Sequence, residues 1–374
     1  MEKDKRIKGV NIGNWLVLEK WMEPSIFDGT DAEDETWLNR EASWKDLTRE
    51  GLKARMKEHR DSYFTREDVH FLSSLGVNLI RIPVPYFVFG DRAPFSGCIE
   101  YVDRALEWAE EAGISVLIDL HTAPGGQNGY DNGGHLGVCR FGQVKKEVQF
   151  ELSVLSRLAE RYAEKKALFG IEVLNEPISM LVYLTAPSRG KARDREEAKG
   201  SSWVPTSFLK NYYRKAYQLL REHLPEEKAI VFHDGFRLGT WRDFFAREGM
   251  ENVYLDTHMY IFAMEKFFPK ALRTPFLYKA YLQIDRARIR LAARHTPVIV
   301  GEWCISADYG LSCEGEEQRK RFRKIYEMQQ KAFSGSAGTI YWSYQLLRDR
   351  NVKMDEDWKE AWDYARCIGH GWIP

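Results

Sequence analysis

Eight short apolar segments rich in β-branched residues recur along the chain, and stretches with helical periodicity separate most of them. The predicted strands span residues 8–12, 77–84, 115–121, 169–177, 229–236, 252–260, 296–303 and 338–344. The predicted helices span 44–59, 65–75, 101–112, 142–166, 208–223, 276–293 and 314–333. Strands that alternate with helices form a parallel sheet, and eight of them close into a barrel. The sequence therefore predicts an α/β protein that folds as a single (β/α)8 TIM barrel with extended βα loops.

One domain is expected to span residues 1–374, with a mixed-charge, flexible loop insertion at 180–205. An open, doubly wound parallel sheet is the alternative architecture. It is disfavoured because no glycine-rich phosphate-binding fingerprint follows the first strand.

Two of the predicted strands deliver a glutamate to their carboxyl ends. The run FGIEVLNEP ends on Asn175, Glu176 and Pro177, and the run TPVIVGEWC delivers Glu302. Barrels of this kind carry their active sites at the carboxyl ends of the strands. Two carboxylates at that rim are what glycoside hydrolysis requires, one to protonate the leaving oxygen and one to attack the anomeric carbon or activate water. Each glutamate taken alone is also compatible with a packing or capping role.

Further polar and aromatic side chains share this rim, so that six strands contribute to it. They are Arg81, His121, Asn175, His258, Tyr260 and Trp342. Each has a structural alternative, such as an ion pair, a satisfied core histidine or aromatic packing. Together they favour Glu302 as an ionised nucleophile beside Arg81 and Tyr260, because a cation and a donor keep a carboxylate charged. Glu176 is then the acid/base, with a pKa raised by burial, and Asn175 binds the sugar 2-hydroxyl.

Composition narrows the class of substrate. Lys plus Arg and Asp plus Glu both number 55, so we expect neither a nucleic acid nor a membrane as partner, and a neutral carbohydrate fits best. The 12 Trp residues exceed the needs of an ordinary core and suit sugar rings. Without a signal-peptide pattern a cytoplasmic location is expected. The five Cys have no metal-binding spacing, and we expect no cofactor and no metal. Nothing in the sequence indicates the oligomeric state.

The motifs resemble glycoside hydrolase family five, whose members are retaining β-glycosidases on an eight-stranded barrel. The resemblance covers nearly the whole chain. It implies that Arg81 in RIPV, His121 in DLH, Asn175 and Glu176 in LNEP, the pair His258 and Tyr260, Glu302 in GEW, and Trp342 are the family's site residues. Glu176 and Glu302 would then be the catalytic pair.

Within the family the chain looks most like the exo-β-1,3-glucanase branch. The segment GVNIGNWLVLEKWMEPSIF resembles that branch's opening, and APGGQNGYDNGG resembles its glycine-rich loop. The likeness implies that Glu19, Asp131 and Asn132 close the site behind the first sugar, and that Tyr130 and Phe262 flank the entrance. A retaining exo-β-glucosidase or glucan β-1,3-glucosidase acting on short oligosaccharides or small glucosides is therefore expected. The alternatives are an endo-acting β-glucanase with an open cleft and a non-catalytic carbohydrate-binding barrel.

Overall fold

Eight parallel strands form a closed barrel in a computed structural model that describes residues 6–41, 47–349 and 351–374. The strands are β1 (Ile7–Asn11), β2 (Leu79–Val84), β3 (Ser115–Leu120), β4 (Leu168–Glu172), β5 (Ala229–His233), β6 (Val253–His258), β7 (Val298–Glu302) and β8 (Gly338–Tyr341). Each strand pairs with the next in parallel, and β8 pairs with β1. The predicted fold class and strand order are confirmed. The regular ladder of β4 ends before the segment that carries Asn175 and Glu176.

Helices connect the strands and surround the barrel. They are α1 (Glu35–Glu41), α2 (Arg49–Tyr63), α3 (Arg66–Ser74), α4 (Ile99–Ala112), α5 (Lys145–Tyr162), α6 (Met180–Thr185), α7 (Thr206–Arg221), α8 (Phe244–Arg247), α9 (Ile261–Glu265), α10 (Pro275–Ala292), α11 (Asp308–Leu311), α12 (Gly315–Ala332), α13 (Asp357–Glu360) and α14 (Tyr364–Gly369). Local signals set their ends: a capping box of Thr65 and Asp68 starts α3, and Gly113 ends α4 with φ of 71°. The helix predicted at 44–59 begins at Arg49, and residues 44–46 lie outside the described part of the chain.

Residues inside the barrel alternate with residues that face the surrounding helices, as the two-residue period of a strand requires. The lower part of the interior is apolar and consists of Ile7, Leu79, Leu117, Val231, Ile299 and Ile340. Two residues further along β2 and β3, the interior positions are the buried polar residues Arg81 and Asp119. In β1 the next interior position is Gly9, and the one after it is the buried Asn11. The barrel therefore has an apolar floor and a polar layer beneath its carboxyl-terminal face.

The insertion at 180–205 is not the free loop that its composition predicts. It contains α6 and packs against α1, where Arg40 binds Glu197 at 2.8 Å and the Arg193 guanidinium lies 5.0 Å from the Trp37 ring. A Cβ atom on Gly137 of the glycine-rich loop would collide with the Ala192 backbone, so the two loops are in close contact. Separately, no helix in the described residues has the length and apolar character needed to cross a membrane.

Candidate active site

Glu302, at the end of β7, has two donors that suit an ionised carboxylate. Arg81 Nη1 donates to Glu302 Oε1 at 3.0 Å, and the Tyr260 hydroxyl donates to Oε2 at 2.8 Å. The glycine before it is required by space: a Cβ atom on Gly301 would overlap the Asp256 carboxylate, which instead accepts the Gly301 N–H at 2.7 Å. Glu302 is therefore held in one orientation from both sides.

Arg81 is fully buried and binds four partners at once. Its Nε donates to Glu172 at 2.7 Å, Nη1 also donates to Asn11 at 2.9 Å, and Nη2 donates to Asn175 at 2.9 Å. Burial alone would lower the pKa of Arg81, but the surrounding carboxylates raise it well above its usual value. The guanidinium is thus a permanent cation that links the ends of β1, β2, β4 and β7.

Glu176 lies beyond β4 on a backbone with φ of +46°, a conformation that non-glycine residues rarely adopt. Such strain is typical of functional sites, where the surrounding structure enforces it. His258 Nδ1 donates to Glu176 Oε1 at 2.7 Å, and Asn132 Nδ2 donates to Oε2 at 3.2 Å. Asn132, expected to help close the site behind the sugar, therefore contacts the predicted acid/base directly.

His258 stands between the two glutamates. Its Nδ1 lies 2.7 Å from a Glu176 oxygen and 3.3 Å from a Glu302 oxygen, so those oxygens are at most about 6 Å apart. Its Nε2 faces Asp256 at 3.5 Å. Because both ring nitrogens face carboxylates, the arrangement favours the doubly protonated ring. Burial lowers the pKa of His258, but Glu302, Asp256 and Glu176 raise it well above the usual value.

The histidine changes the expected electrostatics of both carboxylates. Burial raises the pKa of Glu176, but the hydrogen bond and charge of His258 bring that pKa below the usual value. For Glu302, burial raises the pKa and Glu176 adds to this, whereas His258 and Arg81 lower it, and the net direction is upward. Burial was expected to raise the pKa of Glu176. In the protein without substrate the pKa is lowered instead, because the His258 imidazolium is in hydrogen-bond contact with the carboxylate. In this contact a proton lies between His258 Nδ1 and Glu176 Oε1, which are 2.7 Å apart.

His121 and Asn175 form a second fixed group. Asn175 Nδ2 lies 3.3 Å from His121 Nε2, and because an amide nitrogen donates, this ring nitrogen must be the acceptor. Nδ1 therefore carries the proton and donates to Asp119 at 2.5 Å. The Asn175 amide oxygen accepts from Arg81, so the amide nitrogen faces His121 and the rim. Trp342 stacks on the His121 ring at 5.6 Å.

The wall of the site carries two further carboxyl groups, those of the buried Glu19 and the half-buried Asp131. Glu19 accepts from Trp21 Nε1 at 2.8 Å. Burial and the neighbouring Asp131 raise the pKa of Glu19 well above the usual value, and burial also raises that of Asp131. Tyr130 is half-buried beside them on the glycine-rich loop. A carboxyl group with a raised pKa can, when it is protonated, donate as well as accept, which suits a sugar with several hydroxyls.

Aromatic rings flank the predicted nucleophile. The Tyr260 ring lies 5.2 Å from Phe262 and stacks on Trp362 at 5.1 Å. Phe262 thus contacts the site through the Tyr260 ring.

Comparison with known proteins identifies the family. Residues 45–346 match the family described as Cellulase (glycosyl hydrolase family 5). The chain belongs to glycosyl hydrolase family 5. The probable glucan 1,3-beta-glucosidase A of Aspergillus terreus is 30% identical over 408 aligned residues, covering 98% of this chain and 88% of the relative. The glucan 1,3-beta-glucosidase of Kluyveromyces lactis is 29% identical, covering 99% and 88%.

A solved structure shares the fold. The rutinosidase from Aspergillus niger superposes with a TM-score of 0.76 at 19% identity, covering 98% of this chain and 97% of that one. At this identity the likeness establishes the barrel architecture. The protein is therefore a glycoside hydrolase on a (β/α)8 barrel, as its sequence motifs predicted.

Asn14, in the opening segment of the chain, has a left-handed backbone with φ of +60°. Asparagine tolerates this left-handed conformation better than most residues. Its Oδ1 accepts the Glu19 N–H at 2.9 Å, and its carbonyl binds His59 at 2.7 Å. The asparagine therefore meets the backbone requirement and also fixes the position of Glu19.

Five buried polar residues behind the rim were not predicted from the sequence. They are Asn11, Asp119, Glu172, His233 and Asp256, all fully buried. A signal for two of them exists, because Asp119 and Asp256 precede His121 and His258 by two residues and so face the same side of their strands. The positions one strand period behind a catalytic residue support it from below.

Two overlapping groups of buried residues place potential metal-ligand atoms within 4.8 Å of one another, contrary to the expectation drawn from spacing alone. They are Glu176, His233 and His258, and Glu172, Asp256 and His258. The residues do not suit a cation. Arg81 already lies 2.7 Å from Glu172 and 3.9 Å from Asp256. His233 Nδ1 accepts the Gly235 N–H at 2.9 Å, so a neutral ring carries its proton on Nε2 and offers no lone pair there.

Proposed function

We propose that the protein is a retaining, exo-acting β-glucosidase that removes terminal β-linked glucose from short β-1,3-linked oligosaccharides or small glucosides. The observation that carries the proposal is the separation of Glu176 and Glu302, at most about 6 Å through His258. Retaining glycosidases hold their carboxyl groups about 5–5.5 Å apart, whereas inverting enzymes need about 6.5–9.5 Å to admit water. The names of the curated relatives support the choice of glucose and of the 1,3 linkage.

In the first step a Glu302 carboxylate oxygen attacks the anomeric carbon as the glycosidic C–O bond breaks. The proton shared by Glu176 and His258 passes through Glu176 to the leaving oxygen, so the aglycone departs neutral. Arg81 and Tyr260 keep Glu302 ionised and oriented before attack. As positive charge develops on the sugar, Asn175 donates to the 2-hydroxyl, where contacts strengthen in the transition state.

In the second step Glu176, now a carboxylate, takes a proton from water while the water oxygen attacks the anomeric carbon. The ester bond to Glu302 breaks, and the product leaves as the β-anomer after two inversions. The loss of the Glu302 charge in the ester lowers the proton affinity of His258. The imidazole therefore gives up its share of the proton in the first step and regains it through Glu176 when water is deprotonated in the second.

The exo action rests on Glu19 and Asp131, which we assign to the non-reducing end of the substrate. Both carboxyl groups have raised pKa values, and each can bind hydroxyls of a terminal sugar as acceptor or, when protonated, as donor. A further sugar beyond the non-reducing end would have to displace the wall formed by Glu19 and Asp131. An endo-acting glucanase, the alternative, would leave that side open and would tolerate the loss of Glu19.

A product time course on laminari-oligosaccharides tests the proposal, with the anomer of the first product read by NMR. Single glucose units released as the β-anomer support it. A spread of oligosaccharides from the earliest times, or the α-anomer, would refute exo action or retention respectively. Glu19→Ala should lower kcat/KM for the terminal sugar at least tenfold, whereas Glu33→Ala, at an exposed glutamate nearby, should leave it unchanged.

We also propose that the chain forms one catalytic domain whose partner is the carbohydrate substrate. No comparison supports the cytoplasmic location expected from the sequence, and that location stays a prediction.

A further inference from the structure

The segment 266–279, which follows the predicted substrate-binding residues of β6, exposes large apolar side chains. Phe267 is 75% exposed, Leu272 54% and Phe276 83%. Phenylalanine is rarely left in water to this extent, and neighbouring exposed apolar residues mark an interaction site. We call these three exposed side chains the apolar patch; they lie within ten residues of one another along the chain, between α9 and the first turn of α10.

The patch lies on the catalytic face. β6 ends at His258 on the carboxyl-terminal rim, and α10 starts at Pro275 before running back to the opposite face. The Lys266 ammonium lies 5.3 Å from the Phe262 ring, which in turn contacts Tyr260. The patch is therefore continuous with the flank of the active site.

A second group of exposed apolar side chains follows β4 on the same face. It comprises Met180, Leu181 and Leu184 of α6, with Leu181 72% exposed. Six of the ten large apolar residues that are exposed in the described parts of the chain belong to these two segments. The apolar surface is thus concentrated beside the active site.

The charge around the patch has one sign. Lys266, Lys270 and Lys279 are exposed, and residues 266–284 include no Asp or Glu. None of the three ammonium groups forms an ion pair with another described residue, whereas Arg273 is used internally by Asp308 and by the Glu265 carbonyl. The balanced charge of the whole chain, from which no membrane partner was expected, conceals this local excess.

The polar groups of the segment do not suit a polysaccharide. Sugar hydroxyls are bound by carboxylates and amides beside aromatic faces, and residues 266–279 include no Asp, Glu, Asn or Gln. The Thr274 hydroxyl already accepts from the Leu277 N–H as the cap of α10. Exposed phenylalanines interspersed with lysines are instead the composition of a surface that enters the interface of an anionic bilayer.

We propose that the segment 266–279 docks the enzyme on an anionic lipid surface, with its phenylalanines in the interface and its lysines at the headgroups. The active-site mouth would then lie at the bilayer, where the exposed residues of α6 add a second apolar contact. This inference does not depend on which glucoside is hydrolysed.

Vesicle sedimentation of the intact enzyme tests the proposal. The vesicles are phosphatidylcholine alone or three parts phosphatidylcholine to one part phosphatidylglycerol. We expect binding to the mixed vesicles that weakens as salt screens the lysines. Lys270→Gln and Lys279→Gln should each lower the partition coefficient about fivefold. Phe267→Ser and Phe276→Ser should each lower it about tenfold or more.

Matched control variants lie on the opposite face. Leu291→Ser near the end of α10 and Lys166→Gln before β4 change an exposed apolar and an exposed basic residue there, and both should bind as wild type does. All variants should hydrolyse a soluble aryl glucoside at the wild-type rate, which shows that they fold.

Three results would overturn the proposal. The first is that the wild type sediments with neither vesicle. The second is a dimer, seen by light scattering, that Phe267→Ser or Phe276→Ser dissociates, which would make the face a contact between copies. The third is that these two substitutions abolish binding to insoluble β-glucan and leave vesicle binding unchanged.

Discussion

The substitution His258→Gln separates the charge of the bridging histidine from its hydrogen bonds. Glutamine keeps a donor near Glu176 but carries no charge. Since His258 lowers the pKa of Glu302, removing the charge should raise that pKa further. Glu302 must be ionised to attack, so the acid limb of the pH profile of kcat/KM reports its protonation. The limb should therefore move to higher pH.

The size of this shift follows from the geometry. The ring nitrogen and the Glu302 oxygen are 3.3 Å apart in a buried site. An effective dielectric constant of about 20 gives an attraction of about 5 kcal/mol at this distance, which is an upper limit. Opposite charges in such contact shift carboxyl pKa values by about 1–3 units, and we expect the limb to move by about this amount.

The assay is kcat/KM for an aryl β-glucoside measured across the stable pH range. His295→Gln changes an exposed histidine and serves as the matched control, with an unaltered profile expected. An acid limb that stays within about 0.3 units of wild type, or moves to lower pH, would show that His258 is not a cation beside Glu302.

Three further predictions concern the acid, the glycine beside the nucleophile and a buried glutamate of α1. Glu176→Ala should lower kcat/KM by about 100-fold or more on poor leaving groups and by much less on 2,4-dinitrophenyl glucosides, because only the former need the acid; equal losses would refute the role. Gly301→Ala should cost about 1–3 kcal/mol of unfolding free energy, since its Cβ would overlap Asp256, as chemical denaturation would measure. Burial raises the pKa of Glu35 to about 7. The protonated Glu35 carboxyl therefore stabilises the folded state fully below about pH 4, and this stabilisation is lost as the pH rises to about 7. Glu35→Gln, which can still accept the Leu18 N–H, should therefore gain about 2–4 kcal/mol over wild type at pH 8 and little at pH 4, and equal gains at both pH values would contradict the burial argument.

Much of the fold was predictable because it repeats simple signals. Apolar strands bounded by glycine and helical stretches gave the barrel and its strand order, and the capping residues of α3 and α4 behaved as their chemistry requires. The rim residues could be named because each follows an apolar run, and strand ends of a parallel barrel meet on one face.

What could not be predicted depends on distances between residues far apart in the chain. The pKa of Glu176 was expected to rise with burial, but His258, 82 residues away, lies in hydrogen-bond contact and reverses the direction. Asn132 was assigned to the wall by resemblance, yet its amide reaches Glu176. His233 was not predicted, because its contact with the His258 ring, 4.3 Å between ring centroids, joins residues on different strands.

The total charge of the chain does not reveal the basic, apolar segment 266–279. Equal numbers of acidic and basic residues argued against a membrane partner, but the average says nothing about a stretch of one sign. The segment 266–279 stands out only when exposure and position on the catalytic face are known together.

The central claim is that Glu302 forms a covalent bond to the sugar while Glu176 serves as acid and base. The most direct test is to trap that bond with a 2-deoxy-2-fluoro-β-glucoside carrying a good leaving group, and to locate the label by mass spectrometry of the digested enzyme. We predict one glycosyl group per chain, attached to the peptide that contains Glu302. A label on Glu176, or no label together with an α-configured first product, would contradict the account.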